Sequence, residues 1–447
     1  MSKTNHTISI LVLTAFLTDF FTPYFIWQGQ IPDAIRWFSQ GAILLMTVLV
    51  FFRMIAFGRI PAGFLVIAAM SLIGLLVGYN YGQSITVCLW GWWLMYQFPL
   101  ISLYCSMQIS WPRNYGRLLT KVCIGLLALE VIFQFIQFFQ GVPPGDDLSG
   151  FFGDHGTSSL VLFIIFTLCL TIGEWLHSSN WLYLVIAFGL GTLSSVLGEM
   201  KFFLLAAALA ALVAMVIFVL RGRQIWRIIP YSLAILFVLI VFVFAYDAVI
   251  PGAQQMPLES FLTNPSKLLA YLDISNPLVA GENYYYDIGR NFAIIYGWEQ
   301  IQTDPETLLF GYGLGARSES RSLGIIGRAL TEGSIGVTSG TSLLVIMQET
   351  GVIGLLIWLF FILVTISKTM RLINSQPDST DNGMRFGMII FTLFWPIWLW
   401  YAATLAMRLP MTLYWSTLGY IFSRPSMEKE IEVEPADIDL LNAEEAS

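Results

Sequence analysis

The chain is predicted to be an all-α, polytopic integral membrane protein, and three observations predict it. Only 11% of its 447 residues are charged, against roughly 25% in an ordinary soluble domain, while 57% are hydrophobic. The apolar residues fall in runs of about 20, enough for a helix to cross roughly 30 Å of hydrocarbon. Strand-like alternation is missing, which disfavours a β-barrel.

Twelve spans are expected: 8–26, 38–56, 61–78, 84–107, 118–138, 157–173, 180–198, 202–220, 228–247, 341–366, 386–406 and 409–423. With the N-terminus inside, the cytoplasmic segments carry fourteen Lys and Arg (Lys3, Arg53, Arg59, Arg113, Arg117, Lys121, Arg221, Arg223, Arg227, Lys368, Arg371, Arg385, Arg424 and Lys429), and the short outer loops only Arg36, Lys201 and Arg408. That bias sets the orientation and puts both termini in the cytoplasm. The first apolar stretch has no small-residue cleavage site and reads as a span, not a removed signal.

The net charge of −7 comes from the end of the chain. Residues 425–447 hold eight acids and one base, which leaves 21 of each sign in 1–424. The division is therefore a transmembrane domain, 1–424, and an acidic, aromatic-free tail, 425–447, of disordered composition. The four cysteines lie in apolar runs without a CxxC, and three histidines are too few for a zinc site. No metal, cofactor or nucleic-acid partner is expected.

The same topology exports the long loop 248–340 between spans nine and ten, and an ordered loop of that length usually carries function. Gln254–Leu272 and Ile288–Thr303 read as short amphipathic helices, the second opened by Asp287 and stopped before Pro305. The loop holds Lys267, Arg290, Arg317, Arg321 and Arg328. Arginine suits phosphate because its planar fork donates two parallel charged hydrogen bonds. Pairing with nearby acids is the simpler fate of each one alone. With Lys201 and Arg408 on the same face, the group suggests an anion-binding role.

Lys201 sits in a short hinge between two spans, where Glu199 offers an ion pair. Asp154 and His155 lie in the Ser149–Thr157 glycine segment, where His155 is a candidate general base. Glu130 lies within a span, as a proton relay or as a hydrogen-bonded bundle residue facing Gln134. Tyr284, Tyr285, Tyr286, Trp298 and Tyr312 form an aromatic set on which sugars could stack, as could any interfacial belt.

Two stretches carry a resemblance. Tyr286-Asp-Ile-Gly-Arg290-Asn, Trp298-Glu-Gln-Ile-Gln-Thr-Asp-Pro305 and Leu309-Phe-Gly311-Tyr-Gly-Leu-Gly315 are similar to the outer-loop pattern of the O-antigen ligase and polymerase superfamily. So is Met347-Gln-Glu349-Thr-Gly351-Val-Ile-Gly354 at the start of the following span. The Gly150–Thr157 segment and the Ser194–Lys201 hinge fall where that family has its glycine-phenylalanine loop and its basic hinge residue, so the likeness touches about 150–354. It implies a GT-C-like, metal-independent glycosyltransferase whose donor is a glycan on undecaprenyl diphosphate, in a bacterial cytoplasmic membrane. Membrane lipid and a chain-length regulator protein would be its further partners. Arg290 and Lys201 would clamp the diphosphate; Glu349 or His155 would be the base; Arg317, Arg321, Arg328, Arg408, Tyr286, Trp298 and Tyr312 would bind substrate.

Ligases of that family have a histidine just before the span that follows the loop. Gly336-Val-Thr-Ser-Gly-Thr341-Ser342 has none, which favours a polymerase of repeat units over a ligase. The donor brings its own leaving group, in keeping with the absence of a glycine-rich phosphate loop ending in Lys-Ser/Thr. A flippase is the competing class and a non-catalytic scaffold the third. Against a flippase, no duplicated halves are visible.

Overall fold

A computed structural model describes residues 2–58, 60–107, 111–112, 114–153, 156–220, 264, 266, 290–320, 323–332 and 341–423. The protein is a membrane-embedded helical bundle. Its long helices are α1 (Ser2–Trp27), α2 (Arg36–Phe57), α3 (Ala62–Asn80), α4 (Ile85–Ser106), α5 (Tyr115–Phe139), α6 (Thr157–Ser178), α7 (Leu182–Leu197) and α8 (Phe202–Leu220). After the expected ninth span and first loop helix, which lie outside the described residues, come α9 (Arg290–Ile301), α10 (Pro305–Phe310) and α11 (Arg328–Glu332). The chain then runs through α12 (Ser342–Ser375), α13 (Asn382–Leu393), α14 (Trp395–Tyr401) and α15 (408–423). A two-residue hairpin, β1 (Glu319–Ser320) with β2 (Ile325–Ile326), is the described part's sheet.

Seven of these helices are long and apolar enough to cross a membrane, eight if α13 and α14 form one bent span. The bend, 47°, breaks the span expected over 386–406. Its cause is Pro396 in the first turn of α14. Proline has no N–H to donate and its ring collides with the carbonyl four residues back, so a helix cannot run through it unbent. Gly351 breaks α12 in another way. At φ 61° and ψ −157° it takes a backbone conformation open to glycine alone.

The bundle is built around α6, which is buried along almost its whole length and so presents almost no surface to lipid. It packs most extensively on α13. There Gly383 and Gly387 lie opposite Gly173, and a Cβ on Gly173 would collide with the Gly383 carbonyl. Small residues four apart let two membrane helices approach to backbone contact, the source of packing energy where lipid removes the hydrophobic drive. Around this axis Trp395, Trp398, Tyr414 and Phe391 interlock as one aromatic core.

Loops at one end of the bundle fold back into it, and at the other end a polar network ties the turns together. Asp381 there accepts from the Gly116 N–H and the Tyr420 hydroxyl, 3.2 and 2.7 Å. Buried Arg385 donates to Asn382 and Gln376, 3.0 and 2.8 Å.

Candidate functional site

The loop following α9 is built by local capping. Asp304 caps α10, accepting from the Thr307 N–H (2.8 Å) and hydroxyl (2.5 Å), and Pro305 takes the first helical position, where its missing N–H costs nothing. These donors hold the Asp304 carboxyl below its ordinary range. Beyond α10, Gly311, Gly313 and Gly315 all have positive φ (70°, 81° and 91°). This turn goes into the bundle. Gly313 lies on the backbone of Gly78 in α3, and Gly315 on Val87 and Cys88 in α4. Leu314, fully buried, donates its N–H to the Gly74 carbonyl at 2.9 Å. Gly311 and Gly351 face each other so closely that a Cβ on Gly351 would lie 2.6 Å from the Gly311 nitrogen. The break in α12 is thus the slot that receives the loop.

Glu349 and Gln348 hold the turn in that slot. One Glu349 oxygen accepts from the Arg317 N–H (3.0 Å) and the Ser318 hydroxyl (3.1 Å), and the Gln348 carbonyl accepts from the Tyr312 N–H at 2.7 Å. Arg317 itself is buried, 8% exposed, and donates one Nη to the Gln348 side chain at 3.1 Å. Its other Nη meets no hydrogen-bond acceptor. Burial pulls the guanidinium below its ordinary value, against the opposing pull of Tyr296 and Glu349. A positive charge is therefore packed inside the loop-bearing end of the bundle with one donor unsatisfied, a costly arrangement.

Arg290 opens α9 and reaches the α14 terminus. Its Nε donates to the Tyr401 carbonyl at 2.9 Å, and its guanidinium carbon lies 4.1 Å from the centre of the Tyr401 ring. Phe202 stacks on the same ring at 3.7 Å. At such distances the two must occupy opposite faces, so Tyr401 is sandwiched between Arg290 and the residue following Lys201. A cation over an aromatic face gains electrostatic energy as well as packing. Lys201 pairs with Glu199 at 3.2 Å, as its hinge position suggested.

The remaining expected residues divide. Arg328 donates to the Tyr81 carbonyl at 2.6 Å, at the C-terminal end of α3. The Tyr312 hydroxyl donates to the Gln300 carbonyl at 2.8 Å, and its ring meets Tyr81 edge-on. Burial raises the Tyr312 hydroxyl above its ordinary value. Trp298 is exposed. Arg408 lies on another flank, partly buried in the field of Asp19 and Arg36. His155, Arg321, Tyr286 and Asp287 lie outside the described residues.

Glu130 faces a second inserted loop. It accepts from the Phe151 N–H at 2.8 Å, while Gln134 donates to the Leu148 and Ser194 carbonyls. Gln137 exchanges two bonds with Gly150. Glu130, Gln134 and Gln137 recur at helical spacing on one face of α5. Its buried carboxylate therefore pins a loop, with Phe151 N–H as the partner in place of Gln134.

Sequence reasoning missed Tyr401, Tyr81 and Gln348 as partners of the basic residues. Their signal lies in contacts that cross 31 to 247 positions. Among the described residues no three His, Cys, Asp or Glu side chains gather as a metal site. The chain matches no protein-family model, no curated protein and no solved structure.

Proposed function

We propose that the protein is a glycosyltransferase that polymerises oligosaccharide repeat units carried on undecaprenyl diphosphate, working without a metal at the outer face of a bacterial cytoplasmic membrane. In this reading twelve spans place both termini in the cytoplasm and the 248–340 loop outside. The observation that carries it is the stack joining Arg290, Tyr401 and Phe202 beside Lys201. Arg290 and the residue that follows Lys201, 88 positions apart in the chain, meet on one aromatic ring.

The chemistry asks for little more. An acceptor sugar hydroxyl attacks the anomeric carbon of the donor, the bond to the diphosphate oxygen breaks, and the diphosphate leaves with the bonding pair. A base takes the hydroxyl proton. Charge grows on the leaving phosphate, so cations already fixed in place lower the barrier more than mobile ones would. Arg290 is oriented by the Tyr401 carbonyl and ring, and Lys201 by Glu199. Glu349 acts as a positioning residue, because its carboxylate holds the Arg317–Ser318 turn.

The test is chain extension by purified protein on an undecaprenyl diphosphate oligosaccharide, read as product length. Arg290→Ala and Lys201→Ala are each expected to lose about two orders of magnitude or more, of the size seen for removal of one oriented charge donor, with unfolding midpoints close to wild type. Arg290→Lys recovers only part, since it keeps the charge without the fork. Full extension by both alanine variants would overturn the reading.

A further inference from the structure

A cavity opens among α3, α4, α12 and α15. Its volume is about 710 Å³, within the range of ligand pockets, roughly 300–1,000 Å³. Val66 and Met70 of α3, Pro99 of α4, Phe361 of α12 and Trp415 of α15 wall it with apolar surface. Val66 and Phe360 line it and are also 45% and 64% exposed, so it opens sideways to whatever surrounds the bundle. In a membrane-embedded protein that is lipid.

Charge distinguishes its two ends. At the end away from the loops, Arg53 of α2 and Lys368 of α12 line the rim, and no Asp or Glu is among the lining residues. The Met107 carbonyl accepts from one Arg53 Nη at 2.6 Å, which fixes the guanidinium at the rim. Lys368 is held with its ammonium 5.4 Å from the Phe422 ring centre. At the other end Thr350 and Gly354 close the cavity, on either side of the Gly351 break. Met70 lies one helical turn from Gly74, the seat of Leu314. The cavity therefore runs from two cations to the underside of the glycine loop.

We propose that this cavity holds one anionic phospholipid, its phosphate between Arg53 and Lys368 and its acyl chains along α3 and α12. The two ends call for different chemistry, and one amphiphile satisfies both. Free phosphate would leave the apolar walls unfilled, and an uncharged lipid would bring no negative charge to the two cations. The site lies at the opposite end of the bundle from the stack at Arg290, and it stands whether or not the transferase reading does. Its occupant reaches Thr350 and Gly354, and so buttresses the turn of α12 that receives the loop.

Full-length protein is exchanged into phosphatidylglycerol or phosphatidylcholine, and retained lipid is counted by native mass spectrometry. One phosphatidylglycerol per chain is expected to persist where phosphatidylcholine is lost. Lys368→Gln, an exposed position, weakens retention about fivefold, the effect of one cation at an anionic membrane surface. Arg53→Gln does the same or more, and Arg53→Lys restores most of it. If Arg53→Gln fails to fold, Lys368→Gln decides alone. Val66→Trp, which fills the cavity and leaves both charges, expels the lipid. Equal retention of the two lipids, unchanged preference in Lys368→Gln, or displacement by inorganic phosphate alone would each overturn the proposal.

Discussion

Two loops enter the same end of the bundle by the same device and carry opposite cargo. The first, 145–153, turns at Gly150 and Gly153 and is pinned by Glu130 of α5; the second, 311–318, turns at three glycines and is pinned by Glu349 of α12. In each, a buried carboxylate accepts a backbone N–H from an incoming turn, the donor that an inserted loop must otherwise leave unpaired. The first loop delivers Phe151, which packs on Phe20, Phe21, Tyr24 and Phe133. The second delivers Arg317. One insertion builds a core, and the other brings a charge into it. The lesson is that a buried acid in a membrane helix need not mark a proton path; the same residue type serves as a latch for a loop.

The largest expected effect tests the plug side of this contrast. Phe151→Ala leaves a ring-sized void among four aromatic residues and should cost about 3–5 kcal/mol, and Leu314→Ala about 2–5. Thermal or denaturant unfolding in detergent measures both. A loss near zero for Phe151 would show that the first loop is not part of the core. The latches should then part company. Glu349→Gln removes the negative charge beside Arg317 and leaves a buried cation less compensated, at a cost of about 3 kcal/mol. Glu130→Gln keeps an acceptor for the Phe151 N–H, with no cation beside it among the described residues, and should cost about 1 kcal/mol or less. Equal losses would break the distinction between the loops. A double-mutant cycle of Glu349→Gln with Arg317→Gln sharpens it, with a coupling of about 1–3 kcal/mol expected.

How far the sequence discloses this depends on the range of the interaction. Composition and apolar run length suffice for the membrane class, and most helix ends lie within a few residues of their expected spans. The bend at Pro396 was missed because apolar residues continue on both sides of it, so hydropathy sees one span. Gly351 is hidden for a related reason. A glycine within an apolar run reads as close packing, and nothing local says that its partner is Gly311, forty positions earlier. Both stretches drew notice separately through the family resemblance, but their docking on each other is a tertiary fact. The pairing of Lys201 with Glu199 was legible because the two lie two positions apart in one short hinge. The contact of Arg290 with Tyr401 was not, since it joins a cation to an aromatic ring and a carbonyl 111 positions away.

A smaller effect separates turn geometry from loop cargo. Gly311→Ala asks an L-residue to adopt φ 70° and ψ −157°, a region nearly closed to side chains, with its Cβ 2.6 Å from the Gln348 carbonyl oxygen. About 1–3 kcal/mol of backbone strain is expected, with added overlap if the slot cannot widen. Gly324→Ala is the control. Its φ is 62°, but nothing lies within 4 Å of the added Cβ, so conformational cost alone remains. If the two variants lose equal stability, the α12 slot exerts no steric grip on the loop.

The smallest effect belongs to Arg328, and it decides whether every arginine of the long loop belongs to the site. Arg328 is exposed and donates to the Tyr81 carbonyl just past α3, where the aligned peptide dipoles leave partial negative charge. A cation there is worth about 0.3–1 kcal/mol, and salt screens it. Arg328→Ala should therefore lower stability by that amount in low salt, with the difference shrinking at high salt, and should leave chain extension near wild type. Arg317→Gln differs on both counts, since it acts inside the bundle, where salt does not reach. Should Arg328→Ala instead abolish extension while stability holds, Arg328 would move from helix terminus to substrate contact, and the site would extend across the mouth of α3.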